Sequence, residues 1–261
     1  MSDACATLVE RGDPARFAAV MAAPPGLRAD LFTLFAFHLE VARAPWASAE
    51  PLVAEMRLQW WRDAAEAAGQ GAPAPAHEVM GPMARLIVAK DLPGDVLDAL
   101  VAARRWDIYR DPFEDEAALD AYLEATGGGL LWMAARVCGA GAQAEAAARG
   151  AGWAAGLAAY LQAVPELEAR GRIPLVDGRA EAVASLARRG LARLGLARLG
   201  QARRARGALG AGNAGLLSAC HAEPLLRLAA KEPGRVAAGE LHLSEFARRW
   251  RLLRAGVTGA W

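Results

Sequence analysis

At 261 residues, with 54% hydrophobic and 23% charged side chains, the chain can bury a large core and is not a disordered protein. Its formal net charge of +1 excludes a uniformly basic or acidic polypeptide. Cys5, Cys138 and Cys220 are far apart and odd in number, which argues against a disulfide framework and for a reducing compartment.

Strand formers are scarce: Ile87, Ile108 and Ile173 are the only isoleucines, and there are four threonines. Ala, Leu, Arg and Glu dominate, so an all-α fold is expected. The first helical pattern covers about residues 5–23 and is closed by Pro24-Pro25-Gly26. Asp30 has the character of an N-cap for a helix reaching about Ala44, apolar nearly all round and therefore central. Ser48 opens the next helix, with Pro51 in its first turn. There Leu52, Val53, Met56, Trp60 and Ala64 form the expected core side, with Arg57 and Trp61 on the opposite flank. Residues 69–76 read as a loop, and helical patterns follow at about 77–90, 94–110, 115–138 and 143–169. Gly127-Gly128-Gly129 marks a bend or a close approach to a ligand or a neighbouring helix.

An Arg-rich helix at about 180–206, a loop at 207–215 and short helices at 216–230 and 243–255 finish the chain. The pentapeptide LARLG occurs at 191–195 and 196–200, but a period of five builds no helical seam. No boundary divides the chain, so residues 1–261 are expected to form one domain.

The small net charge hides an asymmetry: residues 1–169 carry −10 and residues 170–261 carry +11. Either the two parts neutralise each other in the fold, or the Arg-rich last third presents a basic face to a membrane or an acidic partner. No aromatic stacking pattern accompanies it, so no nucleic-acid partner is expected. No signal peptide is evident, and the uncharged run from Gly150 to Val164 falls short of the roughly 18 to 20 apolar residues needed to span a bilayer. The expected setting is cytoplasmic or peripheral at the inner face of a membrane.

Chemistry-bearing motifs are few. HExxH, CxxC and Walker patterns are missing, and His38, His77, His221 and His242 have no ligand spacing, so no metal site is expected. Asp107 and Asp111 share a helical face, but Pro112 follows and arginines surround them, so they read as a solvated helix end.

Phe35-Ala36-Phe37, Glu40-Val41-Ala42-Arg43 and Glu55-Met56-Arg57-Leu58-Gln59-Trp60-Trp61-Arg62-Asp63 together resemble the squalene/phytoene synthase superfamily. The likeness includes Asp13-Pro14-Ala15-Arg16-Phe17, Tyr122, Thr126, Gly127-Gly128, Gly156-Leu157 and Arg170-Gly171-Arg172, covers about residues 11–176 and is loose over 177–261. It implies the isoprenoid synthase fold, a single helical bundle around a large apolar cavity. Active members join prenyl diphosphates head to head with Mg²⁺ held by two facing Asp-rich helices. Counting along the matched blocks, those motifs fall on Ala42, Arg43 and Trp46, and on Ala163 and Leu167, none of which is a carboxylate. The variant resembles a subgroup whose best-known member is a mitochondrial complex I assembly factor.

Two functional readings follow from the resemblance. In one the protein is catalytically silent, with no cofactor, and binds an isoprenoid or lipid or assists assembly of a respiratory complex. In the other it is an active prenyltransferase with displaced Mg²⁺ ligands. Catalytic residues are not assignable. The cavity wall is expected at His38, Ala42, Trp60, Gly156, Ala159, Ala163 and Leu167, with Tyr122 and Arg172 as further ligand candidates. Glu40, Arg57, Gln59, Trp61, Arg62 and Asp63 are ligand contacts, or several of them form a buried ion-pair network joining two central helices.

Overall fold

The computed structural model describes residues 3–203, 210–259 and 261, and among these every regular element is helical. The first pattern divides into α1 (Asp3–Gly12) and α2 (Pro14–Ala22). The Asp13 side chain accepts from the Arg16 amide at 2.9 Å, and Pro14 supplies a first-turn residue with no amide to satisfy.

Helix α3 (Pro25–Arg43) starts at Pro25, not Asp30, for the same reason. Asp30 instead lies inside the helix and pairs with Lys90 at 3.1 Å. The run from Leu31 to His38 is buried throughout, so α3 is central, packed against α1, α2, α5 and α8.

Helix α4 (Pro51–Gly69) reverses the expected orientation. Its buried side is Ala54, Leu58, Trp61, Ala65 and Ala68, while Leu52 and Met56 are 70% and 65% exposed and Trp60 is 41% exposed. Three alanines let this helix approach α5 (Met80–Lys90) and α6 (Gly94–Ala103) closely, and Trp61 sits edge-on to Phe37 with centroids 5.5 Å apart. Leu52, Met56 and Trp60 are left outside.

After α6 the chain tightens into a 3₁₀ turn, Arg104–Asp107. Helix α7 (Glu116–Leu123), capped by Asp115, runs through a π turn (Glu124–Gly128) into α8 (Gly129–Val137). That turn lies against α9 (Glu145–Ala169), the longest helix and the second axis of the core. Contact is backbone to backbone: a Cβ on Gly152 would stand 2.3 Å from the Gly127 carbonyl oxygen. The glycine run therefore marks both a π turn and a close approach.

Helix α10 (Ala180–Arg203) packs on α9, and a 3₁₀ stretch (Gly210–His221), α11 (Ala222–Lys231), α12 (Gly234–Ala237) and α13 (Glu245–Thr258) complete the fold. Part of the charge asymmetry is resolved internally, since Arg189 pairs with Glu116 and Asp120 of α7 and Arg193 pairs with Glu124. No described helix is long and apolar enough to cross a membrane.

Gly152→Ala tests the crossing. The added methyl has no room, so stability measured by urea unfolding should fall by about 1–3 kcal/mol, the usual cost of overpacking. Stability equal to wild type would show that the two backbones do not meet there.

Candidate functional site

Between α3, the 3₁₀ turn Arg104–Asp107, the π turn and α9 lies a cavity with two lobes. The lobes measure about 440 and 320 Å³ and share Arg16, Gly127, Gly156 and Ala159 on their walls. Each falls within the size of a small-molecule site.

The larger lobe brings together His38, Ala42, Tyr122, Gly156, Ala159, Ala163 and Leu167, all expected cavity residues. Trp60 is not among them. It lies with Glu40, Arg57, Trp61 and His77 in a separate cleft beside the end of α3, because α4 turns its other face inward. Trp60 and Trp61 each stand 5.2 Å from the His77 ring, whose Nδ1 accepts from the Val79 and Met80 amides and so organises the start of α5.

The expected ion-pair network between central helices does not form. Arg62 pairs with Asp98 at 2.6 Å, Gln59 donates to Asp63 at 2.6 Å, and Glu40 comes no nearer to Arg43 than 3.8 Å. Arg57, Gln59 and Asp63 are exposed, and Gln59 and Arg62 face the outer side of α4. Arg172 is buried behind the larger lobe, donating to the Trp106 and Asp107 carbonyls and lying 4.4 Å over the Trp106 ring.

Several wall residues escaped the sequence reading. Asp107 is not a solvated helix end but is 5% exposed and lines the larger lobe. The 3₁₀ turn folds it under Tyr122, whose hydroxyl lies 3.1 Å from Asp107 Oδ2 and accepts from Arg104 at 2.7 Å. Arg104 also reaches Asp107 directly at 3.2 Å. Asp111, by contrast, is exposed as expected. Tyr122 and Tyr160 of the wall are backed by Trp106 and Phe113, which stack with centroids 4.1 Å apart and contact both tyrosines. Arg16, Arg43 and Arg170 complete the polar wall, with Arg170 lying 4.6 Å over the Trp46 ring. Arg16, Arg43 and Arg170 stand in the blocks that carry the resemblance, Asp13–Phe17, Glu40–Arg43 and Arg170–Arg172, whereas Arg104 carried no signal. Arg104 and Arg170 come from distant elements whose convergence is tertiary.

Burial dominates the electrostatics. It pushes the Asp107 carboxyl above the usual carboxylate range, with Arg104 opposing, and holds the Tyr122 hydroxyl well above its ordinary value. Burial also holds His38 well below 6.5, assisted by the positive charges of Arg16 and Arg104, so its imidazole is neutral at pH 7. His38 Nδ1 and Arg104 Nε have no hydrogen-bond partner among the described residues, leaving polar valence within the wall.

The fold is similar to that of a dehydrosqualene synthase crystallised with a ligand, at TM-score 0.78 and 14% identity, covering 99% of this chain and 97% of that one. It is also similar to the squalene synthase HpnC of Alicyclobacillus acidocaldarius, at TM-score 0.71 and 16% identity, covering 88% and 93%. A family-wide sequence model of squalene/phytoene synthase matches residues 9–247. The chain belongs to the squalene/phytoene synthase family. A Drosophila melanogaster protein named as an NADH dehydrogenase (ubiquinone) complex I assembly factor 6 homolog is 31% identical over 181 residues. That match covers 66% of this chain and 53% of the relative, so the chain spans about half the length of that relative.

The family fold implies Mg²⁺, and the residues present do not fit it. Ala42, Arg43 and Trp46 do face Ala163 and Leu167 across the larger lobe, where the Asp-rich motifs are expected. The carboxylates on this wall are Asp107, committed to Arg104 and Tyr122, and Glu166, committed to Arg170. They stand among four guanidinium groups, and no three His, Cys, Asp or Glu side chains cluster suitably among the described residues. Such a wall is a poor fit to a divalent cation.

A pH series tests the electrostatics of His38. Because its folded pKa lies below the ordinary 6.5, the unfolded chain binds the proton more readily. Its contribution to stability is therefore present above about pH 6.5 and lost as pH falls through the folded value. Urea unfolding between about pH 5 and 8 should show a shallower acid loss in His38→Leu than in wild type. Identical slopes would contradict a buried neutral imidazole; His221, lowered by burial as well, contributes acid loss of the same sign in both proteins.

Proposed function

We propose that this is a catalytically silent member of its family that binds an isoprenoid or another lipid with an acidic or polar head. The carrying observation is the inversion of charge: Ala42, Arg43, Trp46, Ala163 and Leu167 face one another where metal-binding carboxylates would be needed, and arginines surround them. Arg16, Arg43, Arg104 and Arg170 are suited to a phosphate or carboxylate head. The smaller lobe, with Leu130, Leu131, Ala155, Ala158 and Leu225 on its wall, is suited to an apolar chain.

The relative named for complex I assembly supports a role beside a respiratory complex, with the bound lipid a structural or regulatory component. Such a role places the protein in the cytoplasm, peripheral to the inner face of a membrane. No Mg²⁺ is required for it.

Native mass spectrometry of the purified protein tests the binding. Wild type should carry an isoprenoid or lipid adduct, and Ala163→Trp, which fills the larger lobe, should lose it while retaining its helical circular dichroism. Wild type without any adduct, or an Ala163→Trp protein that keeps it, would overturn cavity binding.

A further inference from the structure

The geometry points to α13 as a docking helix that seats the protein on an anionic bilayer surface. Phe246, Trp250, Leu253 and Val257 are 78%, 57%, 59% and 79% exposed. At about 100° per residue they fall within one arc of about 60° on the helix. Ala255, buried, and Arg248 lie on the opposite side, so the apolar stripe is not the face with which α13 packs onto the bundle. Packing onto the protein therefore leaves uncovered a row containing two large aromatics.

The charges around the stripe identify what would cover it. Arg249 and Arg254, both exposed, lie about 70° to either side of its centre, and Arg251 follows beyond Arg254. Glu245 is the only acidic residue of α13, set against Arg248, Arg249, Arg251 and Arg254. Glu245 pairs with Arg248 and Arg249, whereas Arg251 and Arg254 have no ion pair among the described residues. This separates α13 from α10, where Arg189 and Arg193 are paired with acidic residues of α7 and the π turn. An apolar row with basic shoulders matches the layered chemistry of an anionic membrane, with acyl chains beneath phosphate groups. Trp250 suits the boundary between those layers. A protein groove of equal apolarity would leave the unpaired guanidinium groups without counter-charge.

The helix is also part of the cavity. Arg248 lines the smaller lobe, and its carbonyl lies 3.1 Å from His221 Nε2 on the same wall. One side of α13 thus borders the lobe while the other offers the stripe, which would hold the cavity beside the bilayer. The docking surface does not depend on the cavity being filled.

Co-sedimentation of the full chain with vesicles tests the inference. Wild type should partition into phosphatidylcholine vesicles containing about 30% phosphatidylglycerol at about 0.05 M salt, and release at about 0.5 M. Pure phosphatidylcholine should retain at least about tenfold less. Phe246→Ser with Trp250→Ser should weaken binding on the order of a hundredfold, and Arg249→Gln with Arg254→Gln on the order of tenfold or more. All four side chains are exposed, so the variants should keep the wild-type circular dichroism and unfolding midpoint. No binding of wild type to anionic vesicles, equal binding to neutral ones, or unchanged binding of the aromatic variant would overturn the inference. A wild-type dimer that the aromatic variant dissociates, seen by analytical ultracentrifugation, would overturn it in favour of a second copy. Because Phe246, Arg249, Trp250 and Arg254 lie outside both lobes, loss of binding in these variants reads the α13 surface and not the cavity, and the adduct experiment stands apart from it.

Discussion

The cavity exists because α9 and the π turn after α7 meet at their backbones, at Gly127, Gly152 and Gly156. Side chains at any of these positions would force the two elements apart, and with them the walls they carry. Gly127 and Gly156 belong to both lobes, so the same contact that closes the core also sets the passage between them. Tyr122 and Thr126 precede it, and Ala159, Ala163 and Leu167 follow along α9 at helical spacing. One close crossing places the α7 and α9 side of the wall, and α3 with the 3₁₀ turn Arg104–Asp107 supplies the facing side.

What the fold retains from its family is shape, and what differs is charge. A metal-assisted site needs oxygen anions to gather cations, which in turn withdraw electrons from a leaving group. Here the lobe presents guanidinium groups, backed by a buried Asp107–Arg104–Tyr122 cluster in which Arg104 Nε is left without a partner among the described residues. Guanidinium groups can hold an anionic head, but they do not reproduce a cluster of divalent ions bridging a diphosphate. Retention without turnover is the reading we propose for this wall.

Much of this was legible in the chain. The all-α class, the central place of α3, the close approach at Gly127–Gly129 and the facing positions Ala42 and Ala163 follow from composition, periodicity and family resemblance. Helix α4 was read backwards because its large apolar residues, Leu52, Met56 and Trp60, outweighed its alanines, while the packing rewarded the side that could come closest. Asp107 was misplaced for another reason. Its partner Tyr122 is fifteen positions away, and nothing local distinguishes a carboxylate folded under a tyrosine from one in water. The same limit hid Arg104, and hid the place of Arg170 on the wall. The exposed stripe of α13 went unremarked because an apolar row on a short helix reads as core until the packing face is known.

The most direct test of a retained shape without the family's chemistry is diphosphate release. The protein would be incubated with farnesyl or geranylgeranyl diphosphate and excess Mg²⁺, with and without EDTA. The charge-inverted wall requires release at the no-enzyme rate in both arms. Turnover that EDTA abolishes would show that carboxylates from elsewhere in the chain assemble a metal site after all, and would contradict the account.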